Sequence, residues 1–341
     1  MNGYEIMRRN IEFDHPDRIG LRFNSFGVSD VYRIFVQPAA EFRGPDAPPV
    51  SVRKKAKVPP GTNDEWGCTW DVLPGQGANI GQVVNHPLTD WALLDEFAFP
   101  DPTAPGRFDG LAEALAEAET KGLYVQLNSP YCLFERMHFL RRLDLMLMDT
   151  VLEPDKVGEL ADRVIDYQIG IVAEAQRLSG GRIHCFDTTD DWGTQTGMMI
   201  SPASWREIFK PRYKRLMDAL KAAGMTIRFH TDGKVNDIYP DLIEIGVDII
   251  NIHQPRLLGI EEVGAKFAGQ VCFEVSVDIQ DTLPGGDRQA IEAEAKAIVE
   301  RLGTPKGGLI AVEYRYLDAI GATEESLRWA LEAFQKYGKL K

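Results

Sequence analysis

The chain has 341 residues, of which 44% are hydrophobic and 26% charged, with a formal charge of −13. That length buries a substantial core in one large domain or two smaller ones. The acidic balance argues against a nucleic-acid groove, which needs clustered Lys and Arg, and the longest apolar stretches are strand-sized, too short to span a bilayer.

The first residues, MNGYEIMRRNIEFDHPDR, lack the apolar stretch of a secretory signal. Cys68, Cys132, Cys185 and Cys272 lie far apart without CxxC spacing, which suggests reduced thiols in a cytoplasmic protein. Residues 2–12 read as a short amphipathic helix and residues 19–23 as a first strand. The stretch from there to about residue 105 is rich in Pro, Gly, Trp and Asp and weakly periodic. It reads as a long excursion over the active-site face, since long loops with aromatic and charged residues are often functional.

From Phe108 the alternation becomes regular. Residues 110–121 predict a helix and 123–127 a strand; helices follow near 133–149 and 155–178, the second with Pro154 at its start. Ser201-Pro202 supplies the cap and first turn of a helix over 201–223. Further helices are expected over 234–245, 260–267, 288–302 and 323–337. Strand and helix in this order, with β-rich runs such as DIINI and GLIAV, predict a parallel sheet. Seven or eight strands over this length favour a (β/α)8 TIM barrel, with residues 1–341 as one domain: 1–105 an N-terminal segment and loops, 106–341 regular β/α repeats. No dinucleotide-type glycine fingerprint follows the first strand.

Five apolar strands turn abruptly polar at their ends: RIHCFDTTDDWGTQTG, TIRFHTDG, VDIINIHQ, QVCFEVSVDIQ and GLIAVEYRY. In parallel α/β folds the carboxyl ends of strands share one cleft, so this pattern marks an enzyme. His230 and Asp232 share a face at alternate positions and form a metal-ligand or acid/base pair; the alternative is a turn carboxylate beside a satisfied buried histidine. Glu313, closing the last strand, is a candidate third ligand, or else a salt-bridge partner of Arg315. Asp190, Asp191, Trp192 and Gln195 form the densest polar group, with carboxylates to grip a substrate and an indole to stack on it; the competing reading makes the carboxylates caps and Trp192 core. Glu274, Asp278 and Gln280 share a strand face and either line the cavity or lie on the surface. His253 and Gln254 end the preceding strand, and one of the two can reach the cavity.

The chain resembles the uroporphyrinogen decarboxylase superfamily. The resemblance is carried by NIEFDHPDRIG, LFERMHFLRRLDLMLMDTVLEPDKVGEL, DDWGTQTGMMISPASWREIFKPRYKRL, FHTDGKVNDIYPDLIEIGVDIINIHQP, VDIQDTLPGG and TEESLRWALEAFQKYG, in that order. It implies a (β/α)8 barrel and one of two chemistries. The arginine-rich RQAGRY signature of the decarboxylases is missing; the N-terminal region reads LRFNSFGVSDVYRIF. The corrinoid-dependent methyltransferases of the superfamily that act on coenzyme M bind zinc at a His-x-Cys-Gly strand end and a late cysteine. Here that run is His230-Thr231-Asp232-Gly233 and no cysteine follows Cys272, so an oxygen-rich set of His230, Asp232 and Glu313 is expected instead. The resemblance thus implies a methyltransferase, with O-demethylation of methoxylated aromatics favoured. Asp191, His230 and Asp232 would be catalytic; Asp190, Trp192, Gln195, Glu274, Asp278, Gln280 and His253 would hold substrate. A corrinoid on a partner protein, zinc and tetrahydrofolate are the implied cofactors. The alternatives are a decarboxylase of haem biosynthesis and a barrel that binds ligand without turnover.

Overall fold

A computed structural model describes residues 1–43, 52–53, 61–71 and 81–340. The described strands are β1 (Gly20–Phe23), β2 (Val28–Ser29), β3 (Val31–Phe35), β4 (Thr69–Asp71), β5 (Gln82–Asn85), β6 (Tyr124–Asn128), β7 (Cys185–Thr189), β8 (Thr226–His230), β9 (Ile249–Ile252), β10 (Cys272–Val275) and β11 (Leu309–Val312). Eight of them run parallel in the order β3-β6-β7-β8-β9-β10-β11-β1. Asp30 stitches the seam between β1 and β3. Its N–H donates to the Leu21 carbonyl at 2.8 Å, its carboxylate accepts the Leu21 N–H at 2.8 Å, and its carbonyl accepts the Tyr124 N–H. Arg18 grips the same carboxylate through two nitrogens at 2.7 Å. The result is the expected (β/α)8 barrel.

Alternation along the strands divides the core in two. Ile227, Phe229, Ile250, Ile252, Phe273, Val275, Leu309 and Ala311 point outward into one large cluster beneath the helices. The inward positions at the amino ends of the strands form a separate small cluster: Val31, Tyr124, Cys185, Ile249, Cys272 and Ile310. Met7 and Ile11 of the first helix, Gly3–Glu12, complete it, so that helix plugs the barrel floor. Asn2 fixes its start through a capping box with Glu5.

A belt of buried charge lies above this plug. Arg228 of β8 donates to Asp187 of β7 at 2.6 Å and to Glu274 of β10. Arg22 of β1 reaches Glu274 at 3.0 Å and Arg33 of β3 reaches Asp187 at 3.0 Å. Asn251 of β9 donates to Glu274 Oε2 at 2.8 Å. Burial raises the Asp187 pKa, but the positive charges of Arg228 and then Arg33 override it and hold the carboxyl below its ordinary range. Burial is also what lowers the Arg22 pKa to about 10, against the pull of Glu274.

Several sequence expectations hold within a residue, including helices over Leu111–Lys121, Pro154–Ser179, Ile260–Phe267, Arg288–Leu302 and Glu324–Tyr337. Others need correction. The helix expected over 133–149 is two, Phe134–Arg141 and Leu143–Leu152, broken where Arg142 takes a positive φ of 74°. The helix expected from residue 201 contains a wide turn at Trp205–Phe209, just before Pro211, which has no N–H to donate to the preceding turn. Residues 234–245 begin with a tight turn, and the helix proper is Tyr239–Ile245. The N-terminal excursion is more ordered than its composition suggests, since it contains the barrel strand β3 and the hairpin pair β4–β5. Its described part packs on the helix Phe134–Arg141: Leu88 N–H donates to the Leu140 carbonyl, and Arg136 stacks on Trp66 and Tyr131. The remainder of the excursion, residues 44–51, 54–60 and 72–80, lies outside the described residues. Among those described, no helix is long and apolar enough to cross a membrane, and all four cysteines are free and buried.

Removing one member of a buried ion network strands the others. Glu274→Ala should therefore lower unfolding free energy by about 3–5 kcal/mol in a urea titration. A cost under about 1 kcal/mol would mean that the belt contributes little to the fold.

Candidate active site

The carboxyl ends of β7 and β8 bring Asp191, His230 and Asp232 together, with one ligand-type atom from each within 4.8 Å of the others. His230 Nε2 lies 3.5 Å from Asp232 Oδ2 and 3.7 Å from Asp191 Oδ1. The backbone N–H of Asp232 donates to Asp191 Oδ1 at 2.9 Å, which ties the two strand ends together. The His230 side chain is 14% exposed, while those of Asp191 and Asp232 are 41% and 36% exposed and face the barrel mouth.

The belt below determines which nitrogen of His230 is presented. Asn251 uses its amide N–H groups on Glu274, so its Oδ1 is the atom left facing His230 Nδ1, 2.6 Å away. An amide oxygen only accepts, so Nδ1 carries a proton and Nε2 is the nitrogen offered to the carboxylates. Fixing a ligand histidine through its other nitrogen is how metal sites orient imidazoles. One imidazole nitrogen and two carboxylate oxygens suit zinc or a similar divalent cation. With no metal bound, burial would lower the His230 pKa, but Asp232, by charge and hydrogen bond, and then Asp191 raise it to about 9. Burial raises the Asp232 pKa, yet His230 holds it at about 2. Asp191 is raised, by burial first.

Glu135, at the start of the helix Phe134–Arg141, escaped the sequence reading. Burial raises its pKa well above the ordinary value, and the charges of Asp191 and Asp190 add to this. Its Oε2 accepts the Thr189 hydroxyl at 2.7 Å. A carboxyl group that burial pushes well above its ordinary range thus sits beside the His230 cluster. Tyr131 adjoins it with a strained φ of 62°, a conformation that bulky residues adopt where the surroundings impose it. His253 packs 5.4 Å from His230 and 5.3 Å from Tyr314, ring centre to ring centre, with Nδ1 against the Ser276 hydroxyl. Burial, then the charge on His230, holds its pKa well below the usual value.

Other expected site residues serve the fold. Asp190 is fully buried and accepts the backbone N–H groups of Leu133, Phe134 and Glu135, together with the Tyr213 hydroxyl, so it caps the helix that carries Glu135. Trp192 is fully buried, stacked on Phe134 at 4.2 Å with its N–H on Tyr213, and offers no face to a ligand. Glu274 points inward, as one reading had it, but belongs to the belt. Asp278 is buried and caps a turn through the N–H groups of Gln280 and Asp281. Gln195 and Gln280 are exposed and hydrogen-bonded to each other at 3.0 Å. Glu313 falls on the outward-facing register of β11 and accepts the Ser25 N–H at 3.1 Å; Asp191, not Glu313, completes the His230 cluster.

A parallel eight-stranded barrel with a histidine–carboxylate cluster at the carboxyl ends of its strands has the arrangement of a barrel enzyme. Within that class, the chain belongs to the uroporphyrinogen decarboxylase (URO-D) family, whose profile matches residues 63–312. Among solved structures, a methyltransferase from Methanosarcina mazei is similar, with a TM-score of 0.63 at 17% identity over 80% of this chain and 76% of that one. At that identity the likeness is one of fold. A D-psicose 3-epimerase from Clostridium cellulolyticum H10 gives a TM-score of 0.44 at 10% identity, over 72% of this chain and 86% of that one. No curated protein sequence matches the chain.

The adjacent aspartates should behave differently. Asp190→Ala strands several buried donors and should cost about 3 kcal/mol or more in thermal unfolding, whereas Asp191→Ala, which loses a partly exposed ion pair and one backbone hydrogen bond, should cost distinctly less, about 1 kcal/mol. In the metal-free protein His230 should titrate near pH 9 by NMR. Because its folded pKa is raised, its ion pairs stabilise the protein fully below about pH 6.5. That stability is lost as pH rises through 9; a titration near 6.5 would show that the carboxylates do not hold the proton.

Proposed function

We propose that the protein transfers a methyl group from a small methoxylated aromatic to a corrinoid carried by a partner protein, with a folate as the variant acceptor. The observation that carries this reading is the pairing of an oriented His230–Asp191–Asp232 set with the buried Glu135 carboxyl beside it, whose pKa burial raises. Cleaving an aryl methyl ether requires the departing oxygen to be stabilised, by a Lewis acid or by a proton. Zinc bound to the three side chains would supply the Lewis acid.

The protein's own groups perform the remaining work. Thr189 occupies Glu135 Oε2, which leaves Oε1 to carry the proton that the leaving phenolate takes up. Tyr131, Tyr314 and Tyr316 form flat walls around the mouth and hold an aromatic ring. Asn251 keeps His230 Nε2 aimed at the carboxylates throughout. The methyl group moves by direct displacement, so positioning and leaving-group activation are the catalytic tasks.

Incubation with a reduced corrinoid protein and a methoxyaromatic panel should give methylated corrinoid and free phenol. Glu135→Gln, which keeps the shape but cannot donate that proton, should slow the transfer by about 10²–10⁴-fold. His230→Ala should lose both metal and activity. Absence of transfer across the panel, with conversion of uroporphyrinogen to coproporphyrinogen, would return the chain to the decarboxylases.

A further inference from the structure

Three arginines, Arg22, Arg33 and Arg228, share the barrel interior with two carboxylates, Asp187 and Glu274, so the belt is one negative charge short. The shortage falls at Arg33. Its Nε and Nη2 are taken by Asp187, its Nη1 has no partner among the described residues, and its side chain is 26% exposed. Arg315, just beyond the end of β11, is exposed and donates only to the Tyr316 hydroxyl, with no carboxylate partner among the described residues. Burial first, and then the nearby charges of Arg228 and Arg315, lower the Arg33 pKa against the pull of Asp187. An acidic chain has left two guanidinium groups together and incompletely neutralised.

Strand order places them relative to the chemistry. Arg33 lies on β3 and Arg315 follows β11, the two parallel strands that flank β1. Around a ring of eight, β1 stands opposite β8, which carries His230. Arg315 therefore follows a strand on the far side of the ring from His230, while the Arg33 guanidinium reaches inward to Asp187 in the belt between them; an eight-stranded barrel interior spans about one small ligand.

We infer that Arg33 and Arg315 form an anion-binding subsite that takes a carboxylate on the substrate while the opposite end of the same molecule meets His230. The planar forks of the two guanidinium groups match a carboxylate. The inference deepens the methyl-transfer proposal by naming the substrate class, an aromatic carboxylate, and rests on that proposal for the aromatic part alone.

Calorimetric titration of the full chain with 3-methoxybenzoate and with its uncharged analogue 3-methoxybenzamide tests it. The benzoate should bind at least about tenfold more tightly. Arg315→Gln should reduce that preference to about twofold or less, with Arg315→Lys intermediate and the thermal transition unchanged in both. Equal binding of the two probes, binding of neither, or an undiminished preference in Arg315→Gln would overturn the subsite. The two proposals fail separately. Preferential benzoate binding with no demethylation by any corrinoid protein sinks the reaction and leaves the subsite. Demethylation of the benzamide at the same kcat/KM as the benzoate sinks the subsite and leaves the reaction.

Discussion

The protein depends on a layer of ions sealed inside a barrel. Five strands contribute Arg22, Arg33, Asp187, Arg228 and Glu274, which meet where apolar side chains would otherwise fill the interior. Charges removed from water are tolerable only when paired and hydrogen-bonded. Each member therefore restricts the rotamers of its neighbours, and the layer fixes the strands relative to one another. It separates the dry floor closed by Met7 and Ile11 from the polar mouth above. Through Asn251 it also sets the orientation of His230, so a structural element reaches directly into the reactive one.

A second device works from the outer side of the strands. Asp190 and Asp191 are neighbours in sequence and, by strand alternation, point to opposite faces. One gathers the amino end of the helix Phe134–Arg141; the other faces the mouth. The capped helix delivers Glu135 into a low-dielectric position beside Asp191, where burial and the neighbouring charge push its pKa upward. Two adjacent carboxyl groups thereby produce a third with different acidity.

Much of this was legible in the sequence, and the failures have physical causes. The strand endings located His230, Asp232 and Asp191, because alternation and a polar residue after an apolar run are local signals. Trp192 and Asp190 carried the same signal and proved structural: facing depends on register, and a one-residue step reverses it. Glu313 failed for the same reason. Glu274, Arg22 and Arg228 look like strand interruptions until all eight strands are closed, since their ionic partners lie 41 to 252 residues away. Glu135 gave no sign at all, because its acidity comes from burial and from neighbours that only the fold assembles. The alternation in VYRIF was the available clue to β3, hidden within a Pro- and Gly-rich stretch.

The plugged floor has a consequence for how the chain acquires this structure. The helix Gly3–Glu12 rests on Ile310 as well as on Val31 and Tyr124, and β1 pairs with β11. Helix Gly3–Glu12 and β1 therefore wait for β11, which is synthesised long after them, before this set of neighbours is complete. Contacts of such long sequence separation form slowly, because loop closure precedes any gain from packing. Until β11 arrives, the first helix exposes an apolar face and β1 an unpaired edge, both of which invite association with other chains. Ring closure and the sealing of the floor are thus one late event.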